Sequence, residues 1–332
     1  MDAMPVRRNV KYLCAVALWL TCASTVGWAG TKEILAEGAY NMGDGETPSV
    51  AESRALLQAK RLAVEQAGTY VESYSKVNNL QLTEDEIQVL ASGLMEVTIL
   101  DKKRSIVGNG FHFSVKIRAI VHPDKVEEMA KRVKEKSAAG DYKKVQEAYD
   151  KSQKEIEILK RQLAQAKSDK EKTQVEARIT DEERFFQATE WLEKGEQAWL
   201  NDQNDAAIEA YTKAIGLSPN HAKAYYLRGS ANQEKQQYDK AIEDYNKAIA
   251  LDPNHVNAYL SRGSAFAEKR QYGQAVMNFQ KACHLGDELG CTLMEQELKR
   301  KMLLEWDSLK TPEGFDFDKE FEKELKKLRQ GN

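Results

Sequence analysis

Proline is scarce in this chain. There are six in 332 residues, and none between positions 125 and 188, so nothing there interrupts a long helix. Excess positive charge is absent: 49 Lys+Arg stand against 52 Asp+Glu, for a net charge of −3. Phosphate backbones need a concentrated cationic surface, so nucleic acid is excluded as a partner class. Histidine is limited to five residues. His221 and His255 occupy equivalent positions in successive copies of a repeated segment, which copying explains better than a metal. His112 and His122 lie ten residues apart on a single strand, about 33 Å, and His284 beside Cys283 and Cys291 lacks a fourth ligand at short spacing. Neither HExxH nor GxSxG occurs, and "MGDGETPS" has two glycines without the GK[ST] that cradles phosphate. The sequence therefore supplies no catalytic residue, no metal site and no cofactor. Beyond Ala29, long apolar runs are also missing.

The segment up to Ala29 differs from the rest. Arg7, Arg8 and Lys11 precede about fifteen mostly apolar residues, and Gly27 and Ala29 are small residues at the −3 and −1 positions of an export cleavage site. Residues 1–29 read as a cleaved signal peptide that directs the protein to the periplasm; an uncleaved inner-membrane anchor is the alternative, with a run short of the ~20 residues that span a bilayer. Cleavage leaves 46 Lys+Arg against 51 Asp+Glu, a net charge near −5.

Residues 30–124 read as an α+β two-layer domain. "KEILAEGAY" alternates as a strand. Ser49 with Glu52 suggests a capping box ahead of a helix whose stripe is Ala55, Ala59, Leu62, Ala63, Ala67 and Val71, and Thr83 with Glu86 opens a second helix. A hairpin closes the unit around Gly108-Asn109-Gly110, with Phe111, Phe113, Val115, Ile117, Ala119 and Val121 alternating after it. The order of elements, with "AEGAYNMGDGETPSVAESRALLQAKRLAVEQAGTYVES" and "LTEDEIQVLASGLMEV", resembles small bacterial envelope domains found in periplasmic lipoproteins and at the N-terminus of a flagellar assembly protein. The resemblance implies envelope association and roles in assembly or binding; it assigns no functional residue.

Residues 125–187 form a helical linker. Val145, Tyr149, Ser152, Ile156, Leu159, Leu163 and Ala166 follow steps of four and three, the seam of a coiled coil. Three readings fit the pattern: a solvated spacer, a seam between two copies in a homo-oligomer, and a helix folded back on its own chain.

From residue 188 the sequence repeats. Gly195, Gly229 and Gly263 recur at one constant step, a unit of about 34 residues. Ala207, Ala241 and Ala275 keep that step, as do Tyr211, Tyr245 and Phe279, and Ala214, Ala248 and Ala282. Trp191, Tyr225 and Tyr259 follow it too, and Pro219 and Pro253 close the first two units. This pattern resembles the tetratricopeptide repeat, which implies pairs of antiparallel helices packed through the Gly and Ala positions. Asp287 replaces the third closing Pro, so the array is expected to stop there: three repeats over 188–287, a capping helix over 288–304, and a polar tail over 305–332.

Stacked helix pairs leave a concave groove. In such repeats positions 2, 5, 9 and 12 line it, here Thr189, Leu192, Glu196 and Trp199, then Lys223, Tyr226, Ser230 and Gln233, then Asn257, Leu260, Ser264 and Ala267. Glu196 stands where a chaperone-tail clamp needs Asn. "KACHLGDELGC" resembles cysteine-rich solenoid repeats whose C-x7-C pairs bridge adjacent helices, which implies a Cys283–Cys291 disulfide; two buried thiols are the other reading. The sequence thus describes a non-enzymatic periplasmic scaffold holding a protein or peptide partner. A site in the N-terminal domain, as an enzyme or enzyme subunit, and a structural envelope oligomer are the alternatives.

Overall fold

The computed structural model describes residues 31–107, 110–136, 138–308 and 316–330. The expected signal peptide and the Gly108-Asn109 part of the hairpin turn lie outside these residues. Strand β1 (Lys32–Met42), helix α1 (Pro48–Val77), helix α2 (Glu84–Leu94) and strands β2 (Met95–Val107) and β3 (Gly110–Val121) make the N-terminal unit. The sheet is antiparallel, ordered β1-β3-β2. Its inner face, including Ile34, Ala36, Tyr40, Phe113, Val115, Ile117 and Ala119, shares one core with Ala55, Ala59, Ala63, Ala67 and Val71 of α1. The spacing of four in that alanine line lets α1 lie unusually close to β1. At Gly38 a Cβ would collide with Ala55 O and Ala59 N, so only glycine fits.

Two local expectations change. Leu62 is 44% exposed, on the flank of the alanine line rather than in it. The helix α1 starts at Pro48 with Thr47 as its N-cap, so the Ser49–Glu52 box does not form; Glu52 pairs instead with Lys102 of β2. The Thr83–Glu86 box is formed in both directions.

After a 3-10 turn (Pro123–Lys125), helices α3 (Val126–Glu135), α4 (Ala138–Gln165) and α5 (Asp169–Leu200) follow. Helices α4 and α5 form a hairpin, and a Ser168–Glu171 capping box opens α5. The seam residues Val145, Tyr149, Ser152, Ile156 and Leu159 are each at most 1% exposed. They are covered from within the chain: Ile179 packs on Ile156 and Leu159, while Phe186 and Val50 pack on Val145 and Tyr149. The heptad pattern therefore marks a helix folded back on its own chain, and the seam is not available to a second copy.

Helices α6 (Asn204–Leu217), α7 (Ala222–Glu234), α8 (Tyr238–Leu251), α9 (Val256–Glu268) and α10 (Tyr272–His284) continue the solenoid from the end of α5. Each helix pair turns through a left-handed residue, Asp202, Gln236 or Arg270, with φ of 57–58°. These turn residues recur at the same step as the glycines. Helix α11 (Glu288–Ser308) caps the array, with Met294 and Leu298 packed on Val276 and Phe279. Cys283 and Cys291 lie in bonding range, their Cα atoms 4.6 Å apart.

The expected polar tail contains a further helix, α12 (Phe317–Gln330). Leu325 is buried and Phe321 and Leu328 pack around it against the cap. Gln280 donates to Leu328 O at 2.8 Å and Arg329 pairs with Glu295. Apart from Phe317 and Gln330, charged residues fill the other positions of the helix, which is why its composition reads as a tail. Among the described residues no helix is long and apolar enough to cross a membrane.

Candidate functional site: the concave face of the solenoid

The groove is assembled on α5, α7 and α9, the first helices of the three pairs. At the first repeat it is already occupied. Thr189 and Leu192 are 0% and 1% exposed; Thr189 donates to Phe185 O and Leu192 packs in the repeat core with Tyr211 and Leu227. Glu196 is 7% exposed and borders a void of about 20 Å³ shared with Tyr142 of α4 and Val89 and Ser92 of α2. Trp199 lies under Lys136, whose Nζ sits 4.6 Å from its ring centroid, donates to Trp199 O at 2.7 Å and pairs with Asp202 at 2.9 Å and Glu234 at 3.3 Å. Of the four first-repeat positions expected in the groove, Thr189 and Leu192 are taken up by packing within the solenoid, and Glu196 and Trp199 are covered by α2, α4 and Lys136.

The second and third repeats remain open. Lys223 is fixed by Glu196 at 2.9 Å. Tyr226 is half-buried, with ring centroids 6.1 Å from Tyr245 and 4.9 Å from His255. Ser230 donates to Tyr226 O at 3.1 Å, and Gln233 accepts from the Tyr245 hydroxyl at 2.9 Å. Leu260 and Ala267 pack partly against the capping core, and Ser264 donates back to Leu260 O. Asn257 is exposed. Substitutions at Tyr226 or Leu260 therefore remove packing as well as surface, whereas Asn257 reports on the surface alone.

Where the hairpin meets the second and third repeats there is a cleft of about 710 Å³. Lys144 of α4 and Phe185 of α5 supply one part of its lining. The loops before α7 and α9 supply the rest, with Asn220, His221 and Lys223 from one and Asp252, Asn254, His255 and Asn257 from the other. The His221 ring stacks on Phe185, centroids 5.3 Å apart and planes within 11°, and its Nε2 is buried without a partner. Burial, with a smaller contribution from Lys223, pushes the His221 ring down to about 4, so it is neutral at pH 7. The copied histidines that the sequence reads as repetition thus meet in one cleft. The repeat period places them on adjacent loops, but only the fold-back of α4 and α5 encloses them.

A polar cluster, not signalled by any motif, holds the two halves of the chain together. Glu46 and Arg54, with side chains 0% and 1% exposed, lie 3.9 Å apart. Lys160 of α4 pairs with Glu46 at 2.7 Å, Tyr40 donates to it at 2.7 Å, and Arg54 donates to Gln153 at 2.7 Å while lying 4.4 Å over the Phe186 ring. Burial pushes the Tyr40 hydroxyl up to about 12. Glu183 of α5 accepts from Thr47 N at 2.5 Å, capping α1 from another element.

The hollow of about 250 Å³ on the N-terminal unit is lined by Arg61, Val64, Asp85, Gln88, Tyr142, Lys143 and Gln146. None of these is Ser, Cys or His, and Arg61 is paired with Asp150 at 2.7 Å. No group of His, Cys, Asp and Glu able to hold a metal occurs among the described residues.

Comparison with known proteins bears on the solenoid. Models of the tetratricopeptide repeat match residues 191–221 and 233–270. Among solved structures, the chain is similar to the Arabidopsis OM64 TPR domain at 28% identity, over 35% of this chain and 98% of that one, with a TM-score of 0.34. It is similar to the TPR2B domain of yeast Sti1, solved in a complex with pHsp70, at 26% identity over 35% and 98%, also at 0.34. The second TPR of Spaghetti (RPAP3), bound to an HSP90 peptide, matches at 27% identity over 30% and 92%, at 0.30. No curated protein matches the chain. The C-terminal half of the chain carries tetratricopeptide repeats.

Proposed function

We propose that the protein is a non-enzymatic scaffold of the bacterial envelope, exported by a cleaved signal peptide, that binds a protein partner on the concave face of its second and third repeats. One observation carries this reading. Glu196 and Trp199 of the first repeat are covered by α2, α4 and Lys136, yet Lys223 and Asn257 of the next two repeats, with the loops before α7 and α9, line an open cleft of about 710 Å³, within the range of ligand-binding clefts. A surface needed only for packing would be closed along its whole length. The N-terminal unit then serves as a rigid abutment that also associates with other envelope components.

The test places a photo-crosslinking amino acid at Asn257, exposed at the cleft, or at Met277, 68% exposed on α10 outside the cleft. Irradiation of intact cells should give a discrete adduct from position 257 and none from 277. Equal labelling from both positions, or none from 257, rejects the groove as the binding face. Intact mass of the exported chain, expected to begin at Gly30, tests the export reading.

A further inference from the structure

The seat of α12 departs from the repeats on which it lies. Gln280 and His284, one turn apart on α10, both donate to Leu328 O, at 2.8 and 3.0 Å. The equivalent positions in the earlier copies hold Asn246 and Thr212 for the first, and Ala250 and Gly216 for the second, so this pair of donors is not inherited from the repeat. Leu328 belongs to the last turn of α12, where carbonyls lack a partner within the helix. The seat thus holds a helix by its C-terminal end. Arg329 adds a pair with Glu295 of α11. Leu325, with Phe321 and Leu328 beside it, packs into the apolar cluster that Val276 and Phe279 of α10 make with Met294 and Leu298 of α11.

The hold on α12 itself is slight. Leu325 is its one buried residue, and Lys323 and Lys327 pair within the helix, with Glu320 and Glu324, rather than with the seat. A helix of 14 residues is marginal on its own, so α12 opens at little cost while the repeats stay folded. Independently of the concave face, we propose that the α10–α11 groove is a second docking site, and that it takes an amphipathic helix of a partner protein in exchange for α12. The occupant is defined by what α12 presents: apolar residues at i, i+4 and i+7, a helix end within reach of Gln280 and His284, and a cation opposite Glu295. By filling the site from within the chain, α12 sets the affinity that a partner helix has to exceed.

The probe is a capped, fluorescently labelled peptide of residues 316–330, titrated into the mature full-length chain. Leu325→Asp in the chain expels α12, so the peptide should bind that variant at least tenfold more tightly than wild type, and a peptide carrying the same Leu325→Asp change should not bind. Adding Glu295→Lys to the variant chain should reverse the preference, so that a peptide with Arg329→Glu binds better than the unaltered one. In the wild-type chain, which needs no substitution to be read, hydrogen exchange should be at least tenfold faster across α12 than across α10. Equal protection of the two helices, equal peptide affinity for wild type and Leu325→Asp, binding of the altered peptide, or no reversal by Glu295→Lys overturns the proposal and leaves α12 as a fixed part of the cap.

Discussion

Gly229 faces the ring of Tyr245 so closely that a Cβ on the glycine would come within 2.7 Å of Tyr245 Cε1. Gly263 stands in the same relation to Phe279, at 2.6 Å, one period further on. The constant step in the sequence is, physically, the repetition of this ring-on-backbone contact between α7 and α8 and between α9 and α10.

Replacing Gly229 by Ala should therefore cost about 1–3 kcal/mol through overpacking, since Tyr245 is 1% exposed and has no room to retreat. Gly229→Leu should unfold the second repeat. Urea denaturation followed by circular dichroism measures both, and a neutral Gly229→Ala would show that the helices can separate without penalty.

Acid should weaken the fold through His221. Its ring titrates near 4 in the native state because of burial, against about 6.5 in an unfolded chain, so the unfolded state takes the proton first as pH falls. The associated stability is intact above about 6.5 and is lost on descending towards 4, with about 1.5 kcal/mol gone between pH 6.5 and 5. Melts of wild type and His221→Gln across that window should converge on the acid side. Parallel pH profiles would assign the loss elsewhere.

The junction cluster predicts a large penalty from a single side chain. Arg54→Met leaves Glu46 buried with Lys160 as its remaining cation, and breaking a buried pair costs about 3–5 kcal/mol. Adding Glu46→Gln to the same chain should recover part of that loss. A double variant no more stable than Arg54→Met alone would mean that charge is not the cause.

Cys283 and Cys291 are predicted to be bonded in exported protein. Alkylation before reduction should find neither thiol free. Cys283→Ser should lower stability by about 2–3 kcal/mol, the chain-entropy value for a loop of about nine residues. Free thiols would establish two packed cysteines instead.

How far the fold could be read in advance depended on whether its signals were local or periodic. Gly195, Gly229 and Gly263 announce the repeats because each copy restates the same contact. The Thr83–Glu86 box is complete within four residues and forms as expected. The Ser49–Glu52 box is equally plausible as sequence, but Glu183, more than a hundred residues away, caps that helix at Thr47. The groove positions follow from the repeat period as though the repeats stood alone; in the structure Asn257 is exposed at the cleft, whereas Thr189 and Leu192 are buried. Nothing within a repeat indicates that Tyr142 and Lys136 settle on its concave face. The α12 helix reads as a polar tail because its apolar residues Phe321, Leu325 and Leu328 are few among charges, and burial against α10 and α11 makes them count.

Helix α5 runs unbroken from Asp169 to Leu200, so the boundary drawn at residue 187 from the repeat period falls inside a helix rather than in a loop. Its first half belongs to the hairpin and its second half is the first helix of the solenoid. Such a shaft transmits torque and tension directly from one half of the molecule to the other, with no slack to absorb them. Heating should accordingly give one cooperative transition in place of two, and a pulling experiment should release both halves in a single event.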